Sequence, residues 1–196
     1  MHPKEYKKIK VGTGRLTHLS LLNSEIHVGT SFDDNTTVQK LIADPKYLPV
    51  LLFPGTEALN LSEKQLKQSD LGDRQLLVFI LDATWILAKK MLTATKSLHS
   101  LRQIMFTPST PSRYVIKKQP NALCLSTIEV AHELLLALES SGIDTYERPE
   151  QLLELFDRMQ QYQIKRLLDP RRNGYRLWAT ERHKVQPPVA NPAELP

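Results

Sequence analysis

The sequence lacks most of the features that assign a function at first sight. It has one cysteine, Cys124, in 196 residues, which excludes an internal disulfide and a cysteine-based zinc cluster within this chain. Cys124 lies between two leucines, where a small buried hydrophobic residue is favoured over a nucleophile. No apolar run approaches the roughly 18 residues of a membrane span, and the basic start lacks the apolar core of a signal peptide. We therefore expect a cytoplasmic protein that does not enter a membrane.

The common catalytic motifs are missing as well. The chain contains no GxGxxG, no GxxxxGK followed by Ser or Thr, and no GxSxG. Dinucleotide-binding, P-loop and serine hydrolase functions therefore have no support. The 6 histidines are scattered, without HExxH or a pair at helical spacing that could bind zinc. We expect no metal site in this chain.

Positive charge is in excess. The 26 Lys and Arg against 21 Asp and Glu give a net charge of +5 and a pI near 9.3, which weakly indicates nucleic acid or another polyanion. Tyr175 and Trp178 are interleaved with a C-terminal basic cluster. The cluster consists of Lys165, Arg166, Arg171, Arg172, Arg176, Arg182 and Lys184. It is either a solvated face or a surface that contacts phosphates and stacks on bases.

Short apolar runs alternate with helical patterns along the chain. The runs predict buried strands at 47–53, 76–81 and 102–106. The helical patterns predict a helix capped by Asp33 or Asp34, a short polar helix capped by Ser62, a helix after Asp82, and helices over 126–142 and 148–170. This alternation predicts an α/β fold with a mostly parallel sheet covered by helices. We assign 1–184 to one domain and the proline-rich 185–196 to a disordered tail.

Three polar motifs follow the predicted strands, and ligands of open α/β sheets bind beyond the carboxyl ends of strands. The first is FPGTEAL, with Pro54, Gly55 and Thr56. A plain Pro-Gly turn explains this motif. Alternatively, the backbone N–H groups of the loop and the Thr56 hydroxyl face a ligand.

The second motif is LDATW, which ends an apolar run with Asp82, Thr84 and Trp85. Asp82 is explained as the N-cap of the next helix, and Trp85 as a core residue. Alternatively, the motif supplies a carboxylate, a hydroxyl donor and a stacking face to a ligand. The third motif, Ser126-Thr-Ile-Glu129, is a capping box at a helix start. The same helix start has free N–H donors for a polar or anionic ligand.

In this order the three motifs resemble the DTW-domain family. Its Asp-x-Thr-Trp signature matches Asp82-Ala-Thr84-Trp85, with LLFPGTEAL upstream and YVIKKQPNALCLSTIEVAHEL downstream, and the resemblance covers roughly residues 2–165. It implies a tRNA-uridine aminocarboxypropyltransferase, which transfers the 3-amino-3-carboxypropyl group of S-adenosylmethionine to N3 of a uridine and releases methylthioadenosine. It also implies a SPOUT-like fold with a knotted C-terminal cofactor site.

The resemblance implies roles for individual residues. Asp82, Thr84 and Trp85 would be catalytic: Asp82 orients or accepts the N3 proton, and Trp85 forms a wall at the sulfonium. The expected cofactor contacts are Pro54, Gly55, Thr56, Leu81, Leu123, Leu125, Ser126 and Thr127. The expected tRNA contacts are Arg113, Lys117, Lys118, Arg171 and Arg172.

Two departures from the family pattern bear on these roles. The family commonly carries cysteines ahead of its His-Pro segment, consistent with a zinc site, and this chain starts at that segment, as expected of a short or truncated member. The family often has Arg where this chain has Lys117, and Lys cannot make a bidentate contact. Two alternatives stay open: an RNA methyltransferase of SPOUT type, and a non-catalytic RNA-binding module. The substrate uridine, the oligomeric state and the role of Asp82 as base or positioner are also open.

Overall fold

Four parallel strands lie at the centre of the structure, a computed structural model that describes residues 1–8, 11–117 and 123–169. The strands are β1 (Tyr47–Leu52), β2 (Leu59–Asn60), β3 (Gln75–Ile80) and β4 (Arg102–Met105), and their order in the sheet is β2-β4-β1-β3. The three strands predicted from apolar runs are confirmed. The sequence prediction missed β2, because a two-residue strand has no periodicity to detect.

Helices connect the strands and cover the sheet. Their bounds are α1 Pro3–Lys8, α2 Thr13–Ser20, α3 Thr36–Ala43, α4 Gln68–Leu71, α5 Trp85–Ala94, α6 Lys96–His99, α7 Thr127–Ser140 and α8 Glu150–Leu167. Every strand pair is parallel, so the strands are joined by crossover connections. Helices α5 and α6 form the connection from β3 to β4, which lie on either side of β1. The α/β prediction with a parallel sheet is confirmed. The SPOUT-like knot stays a prediction, and the tail at 185–196 lies outside the described residues.

Two predicted helix starts are wrong. The N-cap of α3 is Asn35, which accepts the Val38 N–H at 3.0 Å, and not Asp33 or Asp34. Asp33 instead accepts the backbone N–H groups of Lys96 and Ser97 at the start of α6, at 2.8 and 2.9 Å. The hydrogen bonds from Ser97, backbone and side chain, are the main reason why the pKa of Asp33 is lowered. Asp33, Asp34 and Asn35 can each cap a helix, so tertiary contacts and not the local sequence determine which of them is the N-cap.

The short polar helix predicted at Ser62 does not form there. The Ser62 hydroxyl accepts the Thr107 N–H at 3.0 Å and so joins the end of β2 to the segment after β4. The helix begins later, at Gln68, with Lys67 as its N-cap. The long helix predicted after Asp82 also divides at the buried Thr95, whose hydroxyl donates to the Met91 carbonyl at 2.9 Å.

Successive residues of β1 point to opposite faces of the sheet, as the pleat requires. Val50 and Leu52 pack under α7 with Leu134 and Leu138, whereas Leu51 packs on the other face. On that second face the core continues through residues of α3, α5 and α6, including Val38, Met91 and Leu98. Helix α8 packs outside α7 and α2 through Leu152, Phe156 and Met159. Helices cover both faces of the sheet, so a ligand can reach the sheet at the ends of the strands.

Candidate functional site

The carboxyl ends of β1 and β3 open into a cleft of about 1330 Å³. Parallel strands end at the same edge, so the segments that follow them meet there with the starts of α5 and α7. Most of the residues predicted to form a site line this cleft. They are Pro54, Leu81, Asp82, Thr84, Trp85, Lys117, Leu123, Leu125, Ser126 and Thr127.

Other predicted residues lie elsewhere. Gly55 and Thr56 are on the exposed turn after Pro54, outside the cleft lining. A side chain at position 55 would collide with Oε1 of Gln103, so a close neighbour explains the glycine without a ligand. The Arg113 guanidinium faces Asp157 at 3.5 Å, also away from the cleft. Lys118, Arg171 and Arg172 lie outside the described residues.

Asp82 lies two residues beyond β3 and is held from another part of the chain. Its Oδ1 accepts the Thr127 hydroxyl at 2.6 Å, across 45 residues of sequence. It does not cap α5: the N-cap position there is Thr84, and no side chain caps that helix. The N-cap interpretation of Asp82 is therefore wrong. No residue in the described ranges donates a hydrogen bond to Oδ2, so this oxygen is available to a ligand.

Gly14 on α2 packs directly against the Asp82 carboxylate. A Cβ at position 14 would lie 2.5 Å from Oδ2 and 2.6 Å from Oδ1, closer than real Cβ atoms approach any atom. The absence of a side chain at Gly14 is thus what lets the carboxylate take its position. No sequence pattern indicates that Gly14 belongs to the site, because a glycine inside a helix gives no turn signal.

Aromatic side chains form one wall of the cleft. The Trp85 ring, at the start of α5, packs on Phe53 with centroids 6.1 Å apart and an interplanar angle of 53°. Both rings are partly buried and both line the cleft. Trp85 therefore packs against a neighbouring ring and also lines the cleft. Its packing as a core residue is compatible with its offering a stacking face to a ligand.

Tyr114 also lines the cleft, and no motif in the sequence predicts this position either. Its ring packs edge-on against Phe156 of α8, at 5.1 Å and 77°. Burial raises the pKa of Tyr114 to about 12, with further contributions from the nearby carboxylates of Glu5, Asp82 and Glu129. The phenol is therefore protonated at neutral pH and is a hydrogen-bond donor.

Polar side chains from two helices fix the loop that carries Tyr114. Glu129 of α7 accepts the Arg113 N–H at 2.7 Å and the Ser112 hydroxyl at 2.8 Å. Gln160 of α8 accepts the Val115 N–H at 2.7 Å and donates to the Arg113 carbonyl at 3.0 Å. The backbone on both sides of Tyr114 is therefore tied to the core.

Charges of both signs face the cleft. The Glu5 side chain is 17% exposed and lies 3.9 Å from Nζ of Lys117. The Arg15 guanidinium stacks on Tyr6 at 4.2 Å, and its Nη2 donates to the Tyr6 carbonyl at 3.0 Å. The Arg15 Nε is buried and has no hydrogen-bond partner within the described ranges. The arrangement suits a ligand that carries both a cation and an anion.

Comparison with known proteins assigns the family. A model of the DTW domain matches residues 1–164. The chain belongs to the DTW-domain family. It is 30% identical over 144 residues to tRNA-uridine aminocarboxypropyltransferase 2 of Drosophila melanogaster, covering 71% of this chain and 54% of the relative. The protein of the same name from Macaca fascicularis is 31% identical over 143 residues, covering 72% and 47%. The one from Mus musculus is 30% identical over 142 residues, covering 71% and 47%.

The DTW chain spans about half the length of the curated relatives it matches. No solved structure matches it significantly. Within the described ranges, no group of three or more His, Cys, Asp or Glu side chains could hold a metal ion. Across the same ranges, no helix has both the length and the apolar character that crossing a membrane requires.

Proposed function

We propose that this DTW chain is a tRNA-uridine aminocarboxypropyltransferase that uses S-adenosylmethionine and modifies N3 of a uridine. The observation that carries the proposal is the Asp82 carboxylate, which lines the cleft and is held at Oδ1 by Thr127, with no hydrogen bond to Oδ2 from the described residues. The names of the relatives support the reaction class. The SPOUT-like fold of the cofactor site is part of the same proposal.

The chemistry of the cleft fits S-adenosylmethionine. Leu81, Leu125 and Trp85 offer apolar surface to the adenine and to the sulfonium. Glu5 is an acceptor for the ammonium group of the methionyl arm. The Arg15 Nε is a buried donor without an acceptor, which costs about 1–3 kcal/mol unless a carboxylate such as that of the methionyl arm satisfies it.

Asp82 acts on the uridine. Bound in the cleft, S-adenosylmethionine would supply an activated γ-carbon, to which N3 can bond while the carbon–sulfur bond breaks and its electron pair leaves with methylthioadenosine. Asp82 Oδ2 accepts the proton that N3 loses and then releases it to water. A general base of this kind contributes about 10²–10⁴-fold, and holding the two reactants in line contributes on the order of 7–11 kcal/mol at best.

Lys117 is the described residue of the predicted tRNA set that remains at the cleft. Its side chain is 39% exposed, so the ammonium can reach a tRNA phosphate at the rim. Arg113 is less suited to this role, because its side chain faces Asp157 on another surface. We therefore expect the tRNA to bind at the carboxyl ends of the strands, where Lys117 and Asp82 both lie.

The test is to mix the purified protein with S-adenosylmethionine and total tRNA that lacks the modification, and to identify the small product by mass spectrometry. Methylthioadenosine that forms only with tRNA supports the proposal. S-adenosylhomocysteine would instead identify a methyltransferase, and tRNA binding without turnover would identify a non-catalytic module. Asp82→Asn should lower the rate at least about 100-fold. The matched control is Asp73→Asn, an exposed aspartate away from the cleft.

A further inference from the structure

We propose that Tyr114 recognises uracil: its hydroxyl donates a hydrogen bond to O4, the carbonyl oxygen that is an amino group in cytosine, while Asp82 faces N3 itself. The inference rests on the proposed function and adds to it a residue that recognises the base. It concerns the Tyr114 hydroxyl, a polar group of the cleft to which the proposed function assigns no role.

Uracil has a characteristic pattern on its Watson–Crick edge, where the N3–H donor lies between two carbonyl acceptors. Cytosine presents an acceptor at N3 and an amino donor beside it. Proteins that bind unstacked bases read this edge with matching groups. A site for uracil therefore needs an acceptor opposite N3 and a donor beside that acceptor. Asp82 is an obligatory acceptor when ionised, and the Tyr114 phenol is a donor.

The two groups are placed before any substrate binds. Oδ1 of Asp82 is already occupied by Thr127, which leaves Oδ2 for the base. The Tyr114 ring is held by Phe156, and no residue of the described ranges shares a hydrogen bond with its hydroxyl. A hydrogen-bond donor that is already held in position, with no partner in the protein, can stabilise negative charge that develops on the substrate. It does so without the free-energy cost of reorienting the donor during the reaction.

Proton loss from N3 makes this donor more important. The negative charge that forms on the base spreads to the two carbonyl oxygens, so a hydrogen bond there strengthens as the proton moves to Asp82. The donor must itself keep its proton near the carboxylates of Glu5, Asp82 and Glu129. Tyr114 does so, because burial raises its pKa to about 12.

The same pair of groups also disfavours cytosine. With Asp82 ionised, the N3 lone pair of cytosine would face a carboxylate that can only accept, and the Tyr114 hydroxyl would have no carbonyl oxygen to which it could donate. An unsatisfied or opposed pair in a desolvated site discriminates strongly between ligands of the same shape. Tyr114 and Asp82 together therefore determine specificity for the base, and Asp82 alone performs the proton transfer.

The test compares Tyr114→Phe with Tyr146→Phe. The first variant keeps the ring on Phe156 and removes only the hydroxyl. Tyr146 is the matched control: burial also raises its pKa to about 12, its hydroxyl bonds the Pro149 carbonyl at 3.0 Å and His132 Nδ1 at 3.2 Å, and it does not line the cleft. Methylthioadenosine release from S-adenosylmethionine and unmodified total tRNA is measured against pH, and S-adenosylmethionine affinity is measured by calorimetry.

Tyr114→Phe should lower kcat on the order of 100-fold, the low end for loss of one such donor, and leave S-adenosylmethionine affinity unchanged within about twofold. The rising limb of its pH–rate profile should move to higher pH, because N3 is harder to deprotonate without the donor. Tyr146→Phe should keep the wild-type profile. A folded fraction that is constant over the pH range scales the whole profile without changing its shape, so a less stable variant still answers the question.

Failure of the inference and failure of the proposed function are distinguishable. If the wild type releases methylthioadenosine and Tyr114→Phe has the same kcat and pH profile, the uracil donor role of Tyr114 is wrong and the enzyme assignment stands. An equal loss in both Phe variants without a shift of profile would also overturn it, as a purely structural effect. A wild type that releases no methylthioadenosine overturns the function and the inference together.

Discussion

Replacing Gly14 with Ala should damage the site by displacing Asp82, without removing any side chain that faces the ligand. The added Cβ would lie 2.5 Å from Asp82 Oδ2, whereas ordinary contact begins near 3.4 Å. The carboxylate or the helix must therefore shift by about 0.9 Å, the difference between these two distances. A displacement of about 1 Å at a reacting group can cost about 100-fold in rate.

The effect on stability is smaller and has two opposing parts. Gly14 has no positive φ, and Ala inside a helix is favoured over Gly by about 0.5–1 kcal/mol. Forcing an extra methyl against a filled neighbour costs about 1–3 kcal/mol. The net loss of unfolding free energy is therefore about 0–2.5 kcal/mol, so the variant should fold. A rate loss of about 100-fold corresponds to about 2.7 kcal/mol of transition-state stabilisation.

The assay is methylthioadenosine release with unmodified tRNA, measured together with urea unfolding. Ser20→Ala is the control, because Ser20 is an exposed residue at the end of the same helix. A double variant shows whether Gly14 acts through the carboxylate. In an Asp82→Asn background, Gly14→Ala should cost little further activity, since the group it displaces has already lost its function.

Two results would refute this reasoning. One is a folded Gly14→Ala protein with wild-type kcat and KM. The other is a full 100-fold loss on top of Asp82→Asn, which would mean that Gly14 acts elsewhere in the cleft.

Three further predictions follow from other contacts. Thr127→Val should lower transfer about tenfold, because Asp82 Oδ1 loses its donor at 2.6 Å, and Thr127→Ser should restore most of the rate; equal rates in all three proteins would contradict the positioning role. Phe156→Ala should lower the free energy of unfolding by about 3–5 kcal/mol in urea titrations, since the side chain is 0% exposed, whereas Tyr162→Ala on the same helix, 51% exposed, should cost far less. The raised pKa of Tyr114, about 12, means that the folded state holds this proton more tightly than the unfolded chain. That contribution is complete below pH 10 and is lost between pH 10 and 12, and Tyr114→Phe should flatten this loss by about 2 kcal/mol in unfolding measured against pH.

The sequence predicts those parts of the fold that local patterns determine. Apolar runs located β1, β3 and β4, because a strand buried on both faces needs little else to be detected. The capping box at Ser126 is confirmed, with the Ser126 N–H donating to Glu129 Oε2 at 2.7 Å. The strand-end rule predicts that the polar motifs lie at one edge of the sheet, and most of the predicted residues line the same cleft there.

The remaining parts depend on contacts between distant segments. Gly14 and Tyr114 join the site through a helix near the start of the chain and a loop between β4 and α7. Neither segment carries a pattern that points to Asp82. The hydrogen bond that positions Asp82 spans 45 residues, and so does the one between Val115 and Gln160 that fixes the loop. The periodicity of apolar residues predicts which face of a segment is buried. It does not predict which side chains of distant segments will contact that face.

Helix capping and a position in the site are compatible interpretations of Ser126–Glu129, and the structure shows a capping box at the edge of the cleft. Glu129 is 5% exposed and accepts from Ser126 at the start of α7, as a capping box should. The same carboxylate accepts from Ser112 and Arg113 in the loop that leads to Tyr114. One buried side chain thus fixes both the helix end that carries the donor to Asp82 and the loop that carries the phenol. A strong local explanation of a motif is therefore no argument against its function, because a cap that must be rigid is a suitable place to build a site.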